Sequence, residues 1–504
     1  MDCQAQALIA VDEITTMTQT NYFEVKCLAG HQGLVEGEDA EVLVRVDVQL
    51  APSLARVART RAAQSRICLV LDCSDSMNNI VSGAPRPTGR THTNADGEHV
   101  MEVEGGTSKL DALIVAAKNA VALAKPGDQV TIIHFSSSVS APFTADGANQ
   151  PALLAAVERA ATFPHQGTNM TAALDAARAV ARTPSSASCS VLLFTDGMPQ
   201  DEEGPRARAE LLAEDGATLS TLGFGDDLRV SYVEDLAARG RGRAYTSRDP
   251  ASLDAELAKA FESAQQVIVS NLRANLRFAP CVVPKDLHRA HPQSQLLRTF
   301  DPTTTESIVA VGAIGAEKWA TLFLRLHVKG DQLPPLGRSQ RLVQVTVTGD
   351  VASEKRVGES AVATVELPIV ATPAPFNHAE VTDAFQMVQA RELSARFEDL
   401  CRSGRYADAQ PLAAQLRRIY QNVGSADARR ADESLGAVLA DLDRNGHISL
   451  QRLNELLNDV SASRTASGVK KPLGSETRAG APPDSSGYRR SVPPDASATR
   501  RGNR

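Results

Sequence analysis

The chain has 504 residues, 42% of them apolar, and a formal net charge of −7. That length exceeds what one hydrophobic core usually fills, so more than one domain is expected, and the acidic balance argues against nucleic acid as the main partner. No run approaches the ~18 uninterrupted apolar residues of a membrane helix, Met1-Asp2-Cys3-Gln4 lacks the basic opening of a secretory signal, and seven cysteines without paired spacing read as reduced thiols of a cytoplasmic protein.

Residues 1–20 show little pattern. The alternation in Phe23-Glu24-Val25-Lys26-Cys27 and in residues 41–50 predicts two half-buried antiparallel strands. Residues 51–65, rich in Ala and Arg, lead to Ile67-Cys68-Leu69-Val70-Leu71, an all-apolar run that predicts a central parallel strand buried on both faces. It breaks at once into Asp72-Cys73-Ser74-Asp75-Ser76-Met77. The next connection, residues 78–107, is far longer than the usual loop of about 2–6 residues in such units and contains a hairpin pattern at 98–104. Helices are then predicted at 109–123, 151–161, 171–182, 205–213, 231–238 and 252–265, alternating with strands at 130–135, 189–194, 218–224 and 243–246. Over residues 66–265 this alternation predicts a doubly wound parallel sheet of the α/β class.

Beyond residue 266 the pattern changes to alternating strands at 272–278, 307–314, 319–328, 342–347 and 361–369. With the two N-terminal strands in 1–65 they suffice for a β-sandwich spanning 266–372, into which the α/β domain is inserted. Residues 376–460 read as helices. There Gly404-Arg405-Tyr406-Ala407-Asp408-Ala409 resembles the turn of a tetratricopeptide-like hairpin, though one such unit is too few for a solenoid, so a small helical bundle is expected. Residues 461–504 carry nine Lys/Arg against three acids, a basic tail of +6 that leaves −13 for the rest; with few large apolar residues they are expected to be disordered.

The chemistry concentrates at three strand ends. Asp72, Ser74 and Ser76 place a carboxylate and two hydroxyls on the loop leaving a strand's carboxyl end, the rim where open α/β sheets bind ligands. Thr168, in Gly167-Thr168-Asn169-Met170, brings a hydroxyl to a helix start. Asp196, in Thr195-Asp196-Gly197, follows a second buried strand. Hard oxygen donors of this kind suit Mg²⁺, Mn²⁺ or Ca²⁺. The set Asp-x-Ser-x-Ser, Gly-Thr and Thr-Asp-Gly, in this order after apolar strands, resembles the von Willebrand factor A domain with its metal-ion-dependent adhesion site. The resemblance implies a Rossmann-like fold in which Ser74 and Ser76 ligate Mg²⁺ directly. Thr168 would ligate directly or through water, and Asp72 and Asp196 mostly through bridging waters. One position would stay open for a partner protein's Asp or Glu carboxylate. The order of A domain, sandwich and helical hairpin is similar to a bacterial group of cytoplasmic proteins.

Motifs of enzymes are missing: there is no GxxxxGK[ST], HExxH, GxSxG or GxGxxG after a strand. The expected function is therefore a non-catalytic, metal-dependent protein-interaction module. The alternative that the resemblance raises is an accessory subunit of an AAA+ ATPase complex of the MoxR or chelatase kind, with the ATPase supplied in trans. Asp441-Leu442-Asp443-Arg444-Asn445-Gly446 resembles the start of an EF-hand loop, yet Arg452 stands where the bidentate Glu belongs, so a helix–turn connection is expected instead.

Overall fold

The computed structural model describes residues 15–457, excepting 20–21, 53, 55–63, 94–98, 186, 188, 198, 200, 226–227, 293, 316–318, 352–355, 373–378, 450–451 and 454–455. The expected disordered tail at 461–504 lies outside the described residues. Four strands come first: β1 (Thr15–Gln19), β2 (Phe23–Ala29), β3 (Leu34–Val35) and β4 (Ala40–Leu50). The α/β unit opens with β5 (Arg66–Asp72). A long arm follows, made of β6 (Ile80–Ser82), β7 (Arg86–Thr93), β8 (His99–Glu104) and β9 (Thr107–Ser108), with β6 pairing β9 and β7 pairing β8. The unit continues through α1 (Lys109–Ala122), β10 (Gln129–Phe135), β11 (Phe143–Asp146), α2 (Gln150–Glu158), α3 (Met170–Ala181), β12 (Cys189–Thr195), α4 (Glu203–Glu214), β13 (Thr218–Phe224), α5 (Val230–Arg239), β14 (Arg241–Ser247) and α6 (Pro250–Gln265).

These strands form one sheet in the order β11-β10-β5-β12-β13-β14, parallel except for the edge strand β11. The apolar runs Ile67–Leu71 of β5 and Val191–Phe194 of β12 sit in the middle of the sheet, where both faces are covered. One face packs Leu113, Leu153, Leu257 and Phe261 from α1, α2 and α6. The other packs Met170, Leu174, Leu212 and Leu236 from α3, α4 and α5. The order of β5 neighbours reverses the chain's direction of travel, so β5 is the topological switch point where such sheets hold ligands.

The sandwich is completed by β15 (Val269–Phe278), β16 (Val282–His291), β17 (Gln295–Thr299), β18 (Glu306–Ile314), β19 (Trp319–Val328), β20 (Ser339–Val351) and β21 (Arg356–Val370). One sheet runs β1-β2-β4-β19-β16-β17 and the other β18-β15-β20-β21-β3, so both contain strands from either side of the α/β unit. Strand β4 pairs with β19 along its whole length, from Ala40 opposite Val328 to Gln49 opposite Trp319. An insertion of this kind requires its ends to meet, and Asp128 joins them. Its Oδ1 accepts from Ser65 N at 3.1 Å and its Oδ2 from Gln265 Nε2 at 2.8 Å.

Two sequence expectations need correction here. Residues 41–50 alternate, which predicts a polar face in water, yet Arg45 and Asp47 are buried and pair at 2.9 Å. Their face is covered by the helix α7 (Ala379–Arg402), which lies against β4 and β16. Strands β16 and β17 do not show in the pattern: Asp286, His288 and Arg289, all three buried, interrupt the alternation of β16, and β17 has only five residues. Helices α8 (Tyr406–Val423) and α9 (Ala426–Asn445) complete the bundle with α7, around Phe397, Leu416, Tyr420 and Leu435. Asp441 and Asp443 belong to α9, which ends on Gly446 in the left-handed region, so the EF-hand-like stretch is a helix terminus with a glycine cap.

Arg289 fastens the sandwich to the edge of the α/β unit. Its guanidinium donates to Arg241 O at 2.9 Å, Gly242 O at 2.9 Å and Val311 O at 2.8 Å, with 1% of the residue exposed. Replacing it leaves buried carbonyls unsatisfied. Arg289→Met is therefore expected to lower the unfolding free energy by about 3 kcal/mol, measured by urea denaturation.

Candidate metal centre

Strands β5 and β12 are parallel neighbours, with Leu71 opposite Phe194, so the loops beginning at Asp72 and Thr195 leave the sheet side by side. Cys73 N donates to Phe135 O at 2.7 Å, which holds the first turn of the Asp72 loop against β10. A 3₁₀ turn at Asp75–Asn78 follows, seated by the fully buried Met77. Ser74 occupies the cap position of that turn, but its side chain makes no capping bond. Its Oγ lies 3.2 Å from Ser76 Oγ instead.

Four of the five predicted residues are joined by hydrogen bonds. Asp72 Oδ1 accepts from Ser74 N at 2.9 Å, and Ser76 Oγ donates to Asp196 Oδ1 at 2.8 Å. Asp72, Ser74 and Asp196 are buried and Ser76 is half-buried. Thr168 stands apart from this network and makes no hydrogen bond to the other four among the described residues. Asn169 caps α3 by accepting from Ala172 N at 3.1 Å, so the Thr168 hydroxyl is not used in capping. Its loop is tied to the Asp72 loop by His165, whose Nδ1 lies 2.9 Å from Cys73 O. Asp75 is half-buried and lies in the 3₁₀ turn.

Two residues that the motif reading missed complete the arrangement. Thr195 Oγ1 donates to Asp72 Oδ2 at 2.8 Å, and Lys109 Nζ donates to Asp196 Oδ2 at 2.8 Å. Thr195 carries a weak signal in the sequence, since it immediately precedes Asp196. Lys109 carries none, because the arm separates it from Ser76 along the chain.

The electrostatics follow from two carboxylates sharing one buried space. Burial first, and then the charge of Asp196, push the Asp72 carboxyl well above the ordinary carboxylate range, against the hydrogen bonds from Ser74 and Thr195. Such a pair calls for positive charge, and the donors around it are hard oxygens: two carboxylates and two hydroxyls. The donor set fits a small divalent cation such as Mg²⁺ or Mn²⁺. Among the described residues no group of three or more His, Cys, Asp or Glu side chains is placed to hold a metal, so any such ion would depend on the hydroxyls.

A cavity of about 870 Å³ lies elsewhere, between α4 and α5, strands β17 and β18, and α7. Among its lining charges Arg239 pairs with Asp235 and Glu210, and Arg391 with Glu234.

A doubly wound sheet with Asp-x-Ser-x-Ser, Thr and Asp on its carboxyl rim defines a class of ligand-binding α/β domain. The profile of the von Willebrand factor type A domain matches residues 67–260, and the chain carries that domain. Comparison with curated proteins finds no match. Among solved structures, the chain is similar to a von Willebrand factor type A protein from Catenulispora acidiphila, at 15% identity and a TM-score of 0.68, over 88% of this chain and 98% of that one. It is also similar to the ArnB paralog VWA2 from Sulfolobus acidocaldarius, at 15% identity and a TM-score of 0.51, over 88% and 99%. At these identities the likeness establishes the fold, and it extends through the sandwich and helices. Among the described residues no helix is long and apolar enough to cross a membrane.

Two outcomes test this geometry. Thr195→Val keeps the shape but removes the hydroxyl from buried Asp72, and is expected to cost about 2 kcal/mol of stability in denaturant titration. Beside the site, at the end of β10, burial and then the Arg159 guanidinium hold the His134 imidazole down at about 4, below its ordinary 6.5. Its neutral form therefore stabilises the fold above the ordinary value, and that contribution is lost as pH falls toward the folded value. The unfolding free energy from denaturant titrations across pH ~4–7 should fall further for the natural chain than for His134→Gln, by up to about 3 kcal/mol.

Proposed function

We propose that this protein is a non-catalytic interaction module whose A domain holds a divalent cation, Mg²⁺ by its donor set, and through it grips a carboxylate on a partner protein. The observation that carries this reading is the hydrogen-bonded convergence of Asp72, Ser74, Ser76 and Asp196 at the ends of two adjacent parallel strands. In this reading Ser74 and Ser76 hold the cation through their hydroxyls, Thr168 approaches from the neighbouring loop, and Asp72 and Asp196 balance its charge. Bound there, the cation supplies an electrophilic position for an outside oxygen.

The chain's own residues do the remaining work. Thr195 holds Asp72 in place, and His165 keeps the Thr168 loop against Cys73. The arm of β6 to β9 leaves the chain just after the 3₁₀ turn and returns at Lys109, whose N–H donates to Asn79 O at 2.9 Å. That base places the β7–β8 hairpin next to the metal loop in sequence, and we assign partner selection to it. The sandwich and helices serve as the frame that presents the site.

Calorimetric titration with Mg²⁺ tests the first step: the natural chain should bind one ion, and Asp72→Ala should lose at least about tenfold in affinity. Capture of partners from native extract, with and without EDTA, tests the second. A partner held equally well by Asp72→Ala would end the metal-docking reading. Recovery of an AAA+ ATPase in stoichiometric, chelator-sensitive amounts would make the chain the accessory subunit of such a complex.

A further inference from the structure

Lys109 is badly placed for an ordinary surface lysine. It is the first residue of α1, where the helix dipole disfavours a cation, and it is 5% exposed. Ser108 and Asp111 already cap that helix, each side chain meeting the other's backbone N–H, so the lysine is not needed there. Its ammonium instead donates to Asp196 Oδ2, on the carboxylate whose other oxygen takes the Ser76 hydroxyl. Room for it comes from Gly225 at φ +112°, where a Cβ would stand 3.1 Å from both Lys109 Nζ and Cε. Burying an ammonium is expensive unless it is paired, and the structure spends a glycine, a helix terminus and a carboxylate on this one.

We propose that Lys109 is the specificity-determining residue of the metal site: it weakens the hold on the cation so that the loaded site carries net positive charge and selects an anionic ligand. The inference rests on the proposed metal docking. With both carboxylates ionised, Asp72, Asp196 and Lys109 sum to −1, a divalent cation takes the site to +1, and one outside carboxylate brings it to neutrality. Without the lysine the loaded site is neutral, and the same carboxylate leaves an uncompensated negative charge in a buried place. Lys109 acts through Asp196 and is thus a positioning residue.

The test uses the full chain with Lys109→Met and Lys109→Gln; the glutamine keeps a hydrogen-bond donor for Asp196 and guards against loss of folding in the methionine variant. Mn²⁺ is titrated alone and free ion read by electron paramagnetic resonance. Blocked Gly-Glu-Gly, with Gly-Gln-Gly as control, is then followed on the loaded protein by water-proton relaxation. Both variants should bind Mn²⁺ about tenfold more tightly and the glutamate peptide about tenfold more weakly than the natural chain. Unchanged or weaker Mn²⁺ binding, or peptide binding equal in all three proteins, overturns the role of Lys109 while leaving metal docking standing. Absence of Mn²⁺ binding in all three overturns metal docking itself. Binding by the variants alone overturns both, since the ammonium would then hold the cation's place in the natural chain.

Discussion

Asp72 and Asp196 are separated by more than a hundred residues, yet they share one buried space because the strands that carry them run parallel and adjacent. Two like charges without water repel and are poorly solvated, and the surroundings answer that one problem. Thr195 donates to the first carboxylate, Ser76 and Lys109 donate to opposite oxygens of the second, and Ser74 bridges through its backbone N–H and its contact with Ser76. The serines would be unremarkable as helix caps; here neither hydroxyl is spent on a backbone N–H. Their availability is a product of the electrostatics around them.

The rest of the molecule holds that rim in place. The inserted domain leaves and re-enters the sandwich at one point, where Asp128 bonds both ends, so the domain can be a self-contained sheet with its own cores. A second attachment is Arg289, seated on backbone carbonyls of both parts. A third is α7. It covers β4 and β16 of the sandwich, while its Glu398 accepts from Ser231 N at the start of α5 and Arg402 donates to Leu228 O. The short connection between β13 and α5 therefore touches the site at Gly225, beside Lys109, and the helices at Leu228. Three separate contacts of this kind join the α/β domain to a larger frame, with the rim that bears Asp72 and Asp196 on the carboxyl side of the sheet.

Much of this is written locally. A run with apolar residues on both faces has to be central in a layered α/β structure, and a polar break after it has to lie on the rim; Asp72, Ser74, Ser76 and Asp196 are legible for that reason. Thr168 is legible by motif, although its hydroxyl stays outside the hydrogen-bonded group. The alternation in residues 41–50 correctly marks a strand and misleads about its outer face, since burial of Arg45 and Asp47 depends on a helix more than three hundred residues away. Strand β16 escapes for the same reason: Asp286, His288 and Arg289 are polar by composition and buried by their neighbours.

By itself, then, the amino-acid order determined the alternation of strand and helix and the oxygen donors at the strand ends, because each depends on the periodicity or chemistry of neighbouring residues. Tertiary structure alone decided which charges are paired. Lys109 meets Asp196, Arg289 meets the carbonyls of β14 and β18, and Asp128 meets both ends of the insertion. Such pairings arise where distant segments are brought within hydrogen-bond distance, and the cost of leaving a buried charge alone makes each of them specific once the fold has formed.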